Sequence, residues 1–257
     1  MEAICDDLRD ECDDLDAIVA SLHEDEWSTP TPAEGWTVRD QISHLWFFDQ
    51  RELMALTDPD AFAADMATLL ASGGTEISVA PGRSMSGAQL LEAWRADRAR
   101  LLDVARTVDP SARVPWYGPS MAARSAITAR LMETWAHGQD VVDALGATRA
   151  PTARLRHVAH IGVRARPFSY LVHRREMPAA SVHVVLRGPD GDTWEWGEPS
   201  ADRVSGDALD FCLVVTQRRH PADTDLVVEG DAAADWIGIA QAFAGDAGGG
   251  RSPGQFR

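Results

Sequence analysis

The sequence predicts an α+β protein in which a helical bundle over residues 1–150 is followed by a small α/β domain over residues 151–257. Two patterns carry this reading. Four long stretches of the first 150 residues repeat their apolar positions every three or four residues, the helical period, with Pro-, Gly- and Ser-rich breaks between them. After Pro151 the pattern changes to short alternating apolar runs mixed with helical ones. A length of 257 residues also suits two domains better than one.

In chain order, Ile4, Leu8, Cys12, Leu15, Ile18, Val19 and Leu22 recur at helical spacing, so residues 2–23 form the first helix. Its other face is dense in Asp and Glu and reads as a solvated surface. The run STPTPAEG ends it. Thr37 is a good N-cap with Asp40 three residues on, and Val38, Ile42, Leu45 and Trp46 carry a second helix to about Thr57. A short helix over about 61–71 and a Gly/Ser-rich loop to residue 85 follow. Ser86 with Gln89 makes a capping box for a third long helix through Val108. The stretch VDPSARVPWYGPS is a loop, and a fourth helix runs from about Ser120 to Leu145, with Gly146 at its C′ position. Four such helices suggest an up-and-down bundle. Beyond Pro151 a helix over 152–165 leads into SVHVVLRGPDGDTWEWG, two alternating runs around an Asp-Gly turn. A helix over 206–218, a strand at DLVVEG, a helix at DAAADWIGIAQAFAG and a loose or surface-wrapping Gly-rich tail complete the chain.

Composition excludes several classes of function. A net charge of −16 repels a nucleic-acid backbone and an anionic membrane surface alike. No apolar run approaches the roughly 20 residues of a membrane span, and the N-terminus is acidic where a signal peptide is basic and then apolar. A cytoplasmic protein is expected. Cys5, Cys12 and Cys212 are an odd number and make no disulfide framework; they read as small buried hydrophobes. All 24 basic residues are Arg, so Schiff-base and lysine-base chemistry are absent.

Glu133 and His137 stand at i and i+4 on the fourth helix, one turn apart on the face that carries Met132, Ala129, Ala136 and Val141. A carboxylate and an imidazole aimed into a bundle core are costly unless paired or metal-bound. His44 lies mid-helix between Ile42 and Leu45, an equally odd place for a lone imidazole. Two facing helices would then supply three ligands and leave a coordination position open, the pattern of catalytic zinc. On spacing alone, core polar residues that satisfy one another remain the competing account. Asp140, one turn further, reads either as a partner that orients an imidazole or as a surface charge.

The run WSTPTPAEGWTVRDQISHL from Trp27, and LMETWAHGQDVVDALG from Leu131, resemble segments of the DinB-like superfamily, and more narrowly of the mycothiol-dependent maleylpyruvate isomerases. The segments VRARPFSY and FCLVVTQRRH resemble a less characterised metal-binding branch of that family. The resemblance implies a DinB-like four-helix bundle followed by a sterol-carrier-like α/β domain. It places metal ligands, usually to zinc, on His44, Glu133 and His137, and matches Asp140 to an acidic residue beyond the second histidine. It also implies an arginine of the second domain on a substrate carboxylate, for which Arg218 or Arg219 could serve; basic residues at a helix C-terminus are equally explained by the helix dipole. A second basic cluster, Arg154, Arg156, Arg164, Arg166, Arg174 and Arg175, reads as a domain-docking surface or as a funnel for an anion.

The function expected is therefore that of a metal-dependent enzyme using a low-molecular-weight thiol such as mycothiol, for isomerisation or S-transfer on a small, electrophilic, anionic substrate. A metal-dependent ligand sensor without turnover is the alternative, and a structural ion is a third. The metal's identity, the substrate and the oligomeric state are left open.

Overall fold

In a computed structural model the described residues are 1–72 and 76–256, and they divide into two compact units, Met1–Arg149 and Ala150–Arg257. The fold class is α+β. Among the described residues no helix is long and apolar enough to cross a membrane.

The first unit is built on α1 (Glu2–Val19), α2 (Val38–Thr57), α3 (Pro59–Ser72), α4 (Glu76–Arg83), α5 (Gly87–Thr107) and α6 (Ala123–Leu145). The start of α2 is set by a complete capping box, Thr37 taking the Asp40 backbone N–H and Asp40 returning to the Thr37 N–H. Ser86 and Gln89 do the same for α5. Gly146 closes α6 at φ 60°, a left-handed turn that costs a glycine nothing. Apolar stripes of α1, α2, α5 and α6 meet in a core that includes Leu15, Ile42, Leu45, Leu90, Trp94, Ile127 and Leu131, all buried. The acidic face of α1 is not merely solvated: Asp16 pairs with Arg95 and Arg98 of α5, and Glu2 and Asp6 pair with Arg106.

Two departures from the sequence reading concern connections. The predicted Gly/Ser loop contains α4, which packs on α2, and the loop before α6 holds a small antiparallel ribbon, β1 (Arg113–Val114) with β2 (Met121–Ala122). Helix α4 survives the internal Pro81 and Gly82 because it is seated. Gly82 lies so close to Ser43 of α2 that a Cβ there would meet the Ser43 side chain, 2.6 Å from its Oγ, and the Gly82 N–H donates to that oxygen at 3.0 Å.

The second unit runs α7 (Leu155–Arg164), α8 (Arg166–Val172), β3 (His183–Arg187), β4 (Thr193–Trp196), β5 (Arg203–Asp207), α9 (Ala208–Val215), β6 (Val227–Glu229) and α10 (Asp231–Ile237). The predicted hairpin is β3–β4, paired Val184 to Trp196 and Arg187 to Thr193. Strand β5, unpredicted, lies parallel to β3 and antiparallel to β6, giving the order β4-β3-β5-β6. Val184, Leu186, Val204, Phe211 and Trp236 form its core. The predicted helices over 206–218 and from residue 231 are shorter than expected, ending at Val215 and Ile237.

Candidate metal centre

Helix α2, which starts at its capping box, packs on α6 with one face. On that face stand Gln41, His44 and Phe48, and α6 brings Glu133 and His137 against them. A chain of hydrogen bonds fixes the protons. Thr31 Oγ1 donates to the Trp36 carbonyl at 3.0 Å, so it accepts from Gln41 Nε2 at 2.9 Å. Gln41 therefore turns its carbonyl oxygen toward His137 Nδ1, 2.5 Å away, and that nitrogen must donate. The lone pair of a neutral His137 then sits on Nε2, which faces Glu133 Oε2 at 3.5 Å. In that state both atoms can accept, and either a proton or a metal ion between them would satisfy the pair.

His44 completes the group. Its ring centroid lies 4.5 Å from that of His137, and its Nδ1 is 2.9 Å from Ser78 Oγ of α4. Ser43, next to it, donates to the Ser78 carbonyl at 2.9 Å and ties α4 down. Trp36 stacks on His137 at 14° between planes and leans on His44. Phe48 covers His44 from the other side, and Tyr117 and Trp116 extend that aromatic wall. These rings pack against the imidazoles; His137 is buried and His44 is half-buried. Asp140 is buried on α6, but the His137 Nδ1 position expected for an acidic partner is taken by Gln41.

As the side chains stand, no three His, Cys, Asp or Glu groups among the described residues are gathered tightly enough to hold a metal ion. The donor chemistry nonetheless fits one: two imidazoles and a carboxylate suit zinc, with each imidazole's Nδ1 engaged by a neighbour in the manner usual for metal-bound histidine. Two ligands on one tetrahedral zinc at about 2.0–2.1 Å lie roughly 3.3 Å apart, close to the His137–Glu133 separation of 3.5 Å. Sequence reasoning missed Gln41 and Ser78. Gln41 sits three residues before His44 on the same helix, a spacing that could have revealed it; Ser78 comes from an unpredicted helix.

Deeper in the same seam Arg130 donates twice to Asp49 Oδ1, at 3.0 and 2.9 Å, and Trp94 Nε1 donates to Oδ2 at 3.0 Å. Glu52, only 1% exposed, has an Oε1 with no hydrogen-bond partner, and burial pushes its carboxyl up to about 7. The chain's own thiols are no nucleophiles: Cys5, Cys12 and Cys212 are buried, and desolvation raises each above its ordinary value.

Arg218 and Arg219 belong to the second unit and lie past the end of α9, where Gln217 at φ 59° turns the chain. Arg218 is buried, its Nη1 donating to the Thr216 carbonyl at 2.6 Å, with the guanidinium near the Phe243 ring. Arg219 lines a cavity and lies 4.2 Å over the Phe256 ring.

Residues 8–142 match the family described as the mycothiol maleylpyruvate isomerase N-terminal domain. Two uncharacterized proteins of Mycobacterium tuberculosis, from strains CDC 1551 / Oshkosh and H37Rv, are each 48% identical over 248 residues, covering 95% of this chain and 96% of theirs. The crystal structure of the mycothiol-dependent maleylpyruvate isomerase is similar with a TM-score of 0.59 at 18% identity, covering 85% of this chain and 89% of its own. A histidine-to-alanine mutant of that enzyme gives 0.58 at 17% over the same shares. At such identity the likeness is one of fold.

Proposed function

We propose that this chain, which belongs to the family of the mycothiol maleylpyruvate isomerase N-terminal domain, is a thiol-dependent isomerase built on a divalent metal, zinc, held by His44, Glu133 and His137. The observation that carries the reading is the convergence of the three side chains: the His44 and His137 rings lie 4.5 Å apart by centroid, Glu133 Oε2 lies 3.5 Å from His137 Nε2, and each imidazole's Nδ1 is held by a neighbour. When bound, such an ion holds a coordinated thiol as thiolate at neutral pH, the nucleophile that isomerisation of an activated double bond requires. The chain's residues do the rest. Gln41 and Ser78 orient the imidazoles, Trp36 and Phe48 pack against them, and the buried cysteines stay out of the chemistry. The first unit carries 26 acidic residues against 12 arginines, a formal −14, so it offers an anionic substrate little. Of the two arginines that the resemblance puts forward for a substrate carboxylate, Arg218 is packed at the end of α9, whereas Arg219 lines a cavity of the second unit. The role expected of Asp140, holding an imidazole in its tautomer, falls at His137 to Gln41.

A protonated His137 paired with Glu133 would satisfy the same acceptors with a proton, and metal analysis separates the two. About one equivalent of zinc per chain is expected, lost in His137→Ala. With cobalt in its place, titrating mycothiol should add a sulfur-to-cobalt charge-transfer band. Native protein without transition metal, and with melting unmoved by chelators, would overturn the site. A metal-loaded protein without the band would leave a sensor or a structural ion.

A further inference from the structure

Asp49 and Glu52 of α2 and Glu133 of α6 share the buried guanidinium of Arg130. Each helix sets its pair one turn apart, Asp49 with Glu52 and Arg130 with Glu133. Arg130 spends Nε and Nη2 on Asp49, and Nη2 also reaches the carbonyl of Leu45, the residue after His44, at 3.2 Å. Its positive charge is felt by all three carboxyls. Hydrogen bonds are shared less evenly. Trp94 donates to the second oxygen of Asp49, whereas Glu52, 1% exposed, keeps an Oε1 with no partner.

One guanidinium against three carboxylates leaves the seam two charges negative, and a proton on Glu52 halves that excess. Among the described residues, Arg130 and Asp49 are the charged groups that act on Glu52. The groups on the other helices packed around α2 are engaged elsewhere. Arg98 of α5 pairs with Asp13 and Asp16 and reaches Asp49, and burial keeps the Cys12 thiol of α1 neutral. Asp65 of α3 pairs with Arg51, and Arg83 of α4 pairs with Glu76 and with Asp40 near the start of α2. Burial therefore keeps the Glu52 proton in place up to about pH 7.

A divalent cation at Glu133 changes this balance twice. It adds positive charge to the seam, and it frees Arg130 from offsetting Glu133; both favour an ionised Glu52. We propose that Glu52 is the proton counterweight of the candidate centre, neutral while the centre is empty and giving its proton to solvent when His44, Glu133 and His137 take up a divalent cation. The inference rests on that ligand set and adds a regulation to it, carried by a residue outside the set. Because the loaded form holds one proton fewer at Glu52, cation affinity rises with pH until Glu52 is ionised in the empty protein as well.

Calorimetric titration of zinc into the metal-free full chain, in buffers of unlike ionisation enthalpy, counts the protons released. Between about pH 6 and pH 7 the wild type should release about half a proton or more beyond Glu52→Gln. The excess should vanish at about pH 9, where Glu52 is ionised before zinc arrives. Over the lower range the wild-type zinc affinity should also rise more steeply than that of the variant, by up to about 10-fold per pH unit. In the wild type alone, zinc should remove the infrared C=O stretch of a protonated carboxyl, which decides the matter should the variant fail to fold. Equal proton counts in the two proteins, or a carboxyl band unmoved by zinc, overturn the inference and leave the ligand set standing. No zinc binding by either protein overturns the ligand set, and the inference with it.

Discussion

Asp49 and Glu52 lie one turn apart on α2, and Arg130 is the buried guanidinium whose field both carboxyls feel, as Glu133 also does. Asp49 takes its hydrogen bonds; Glu52 takes none on Oε1. Burial, the largest cause, lifts Glu52 from its ordinary 4.5 to about 7, Arg130 pulling it down and Asp49 pushing it up. The folded protein thus holds this proton more tightly than the unfolded chain does. The associated stability is fully present below pH 4.5 and is lost as pH rises through 7. Glu52→Gln, which keeps the shape and removes the titration, should flatten that part of the profile. Between pH 5 and pH 8 the wild type should lose on the order of 2–3 kcal/mol relative to the variant, measured by urea unfolding at each pH. Parallel profiles would place the proton elsewhere. Nothing in the run RELM marks Glu52 as buried, because a lone acid in an amphipathic helix ordinarily faces water.

The elements that were legible from the sequence are those with local signals. Thr37, Ser86 and Gly146 announce helix ends, and each sits where its chemistry places it. The face carrying His44, Glu133 and His137 followed from a four-residue period read together with a family resemblance. Elements made by tertiary contact were not legible. Strand β5, RVSGD, has Val204 as its one large apolar residue and is held by ladders on both sides. Helix α4 contains Pro81 and Gly82 and exists because Gly82 lets it settle on Ser43. That makes α4 a test of how the candidate centre is supported, since its Ser78 orients His44. Gly82→Ala has a helix-favouring residue but no room for it. It should destabilise the protein by about 1–3 kcal/mol through overpacking, and also weaken zinc binding. Unfolding by urea reports the first and competition with a chelator the second. Unchanged zinc affinity in a destabilised variant would show that Ser78 packs beside His44 without orienting it.

Charge is distributed very unequally between the two units. Residues 1–149 hold 26 acids and 12 arginines, whereas residues 150–257 hold 14 and 12, so −14 of the total −16 resides in the first. Many of the first unit's arginines are already matched at close range, as Arg95 and Arg98 are by Asp16 and Arg51 by Asp65. What is left over is negative and spread across the unit. Short ion pairs and long-range repulsion respond differently to salt. The screening length falls from about 30 Å at 0.01 M to about 8 Å at 0.15 M, so distant like charges are screened before contacts of some 3 Å lose much of their attraction. Added sodium chloride should therefore stabilise this protein. Between 0.01 and 0.15 M the melting temperature should rise by roughly 2–4 °C, the shift that about 1 kcal/mol produces in a chain of this size. A melting temperature that falls with salt over this range would mean that the ion pairs outweigh the repulsion. The excess acid would then be a solvated surface with no energetic cost to folding.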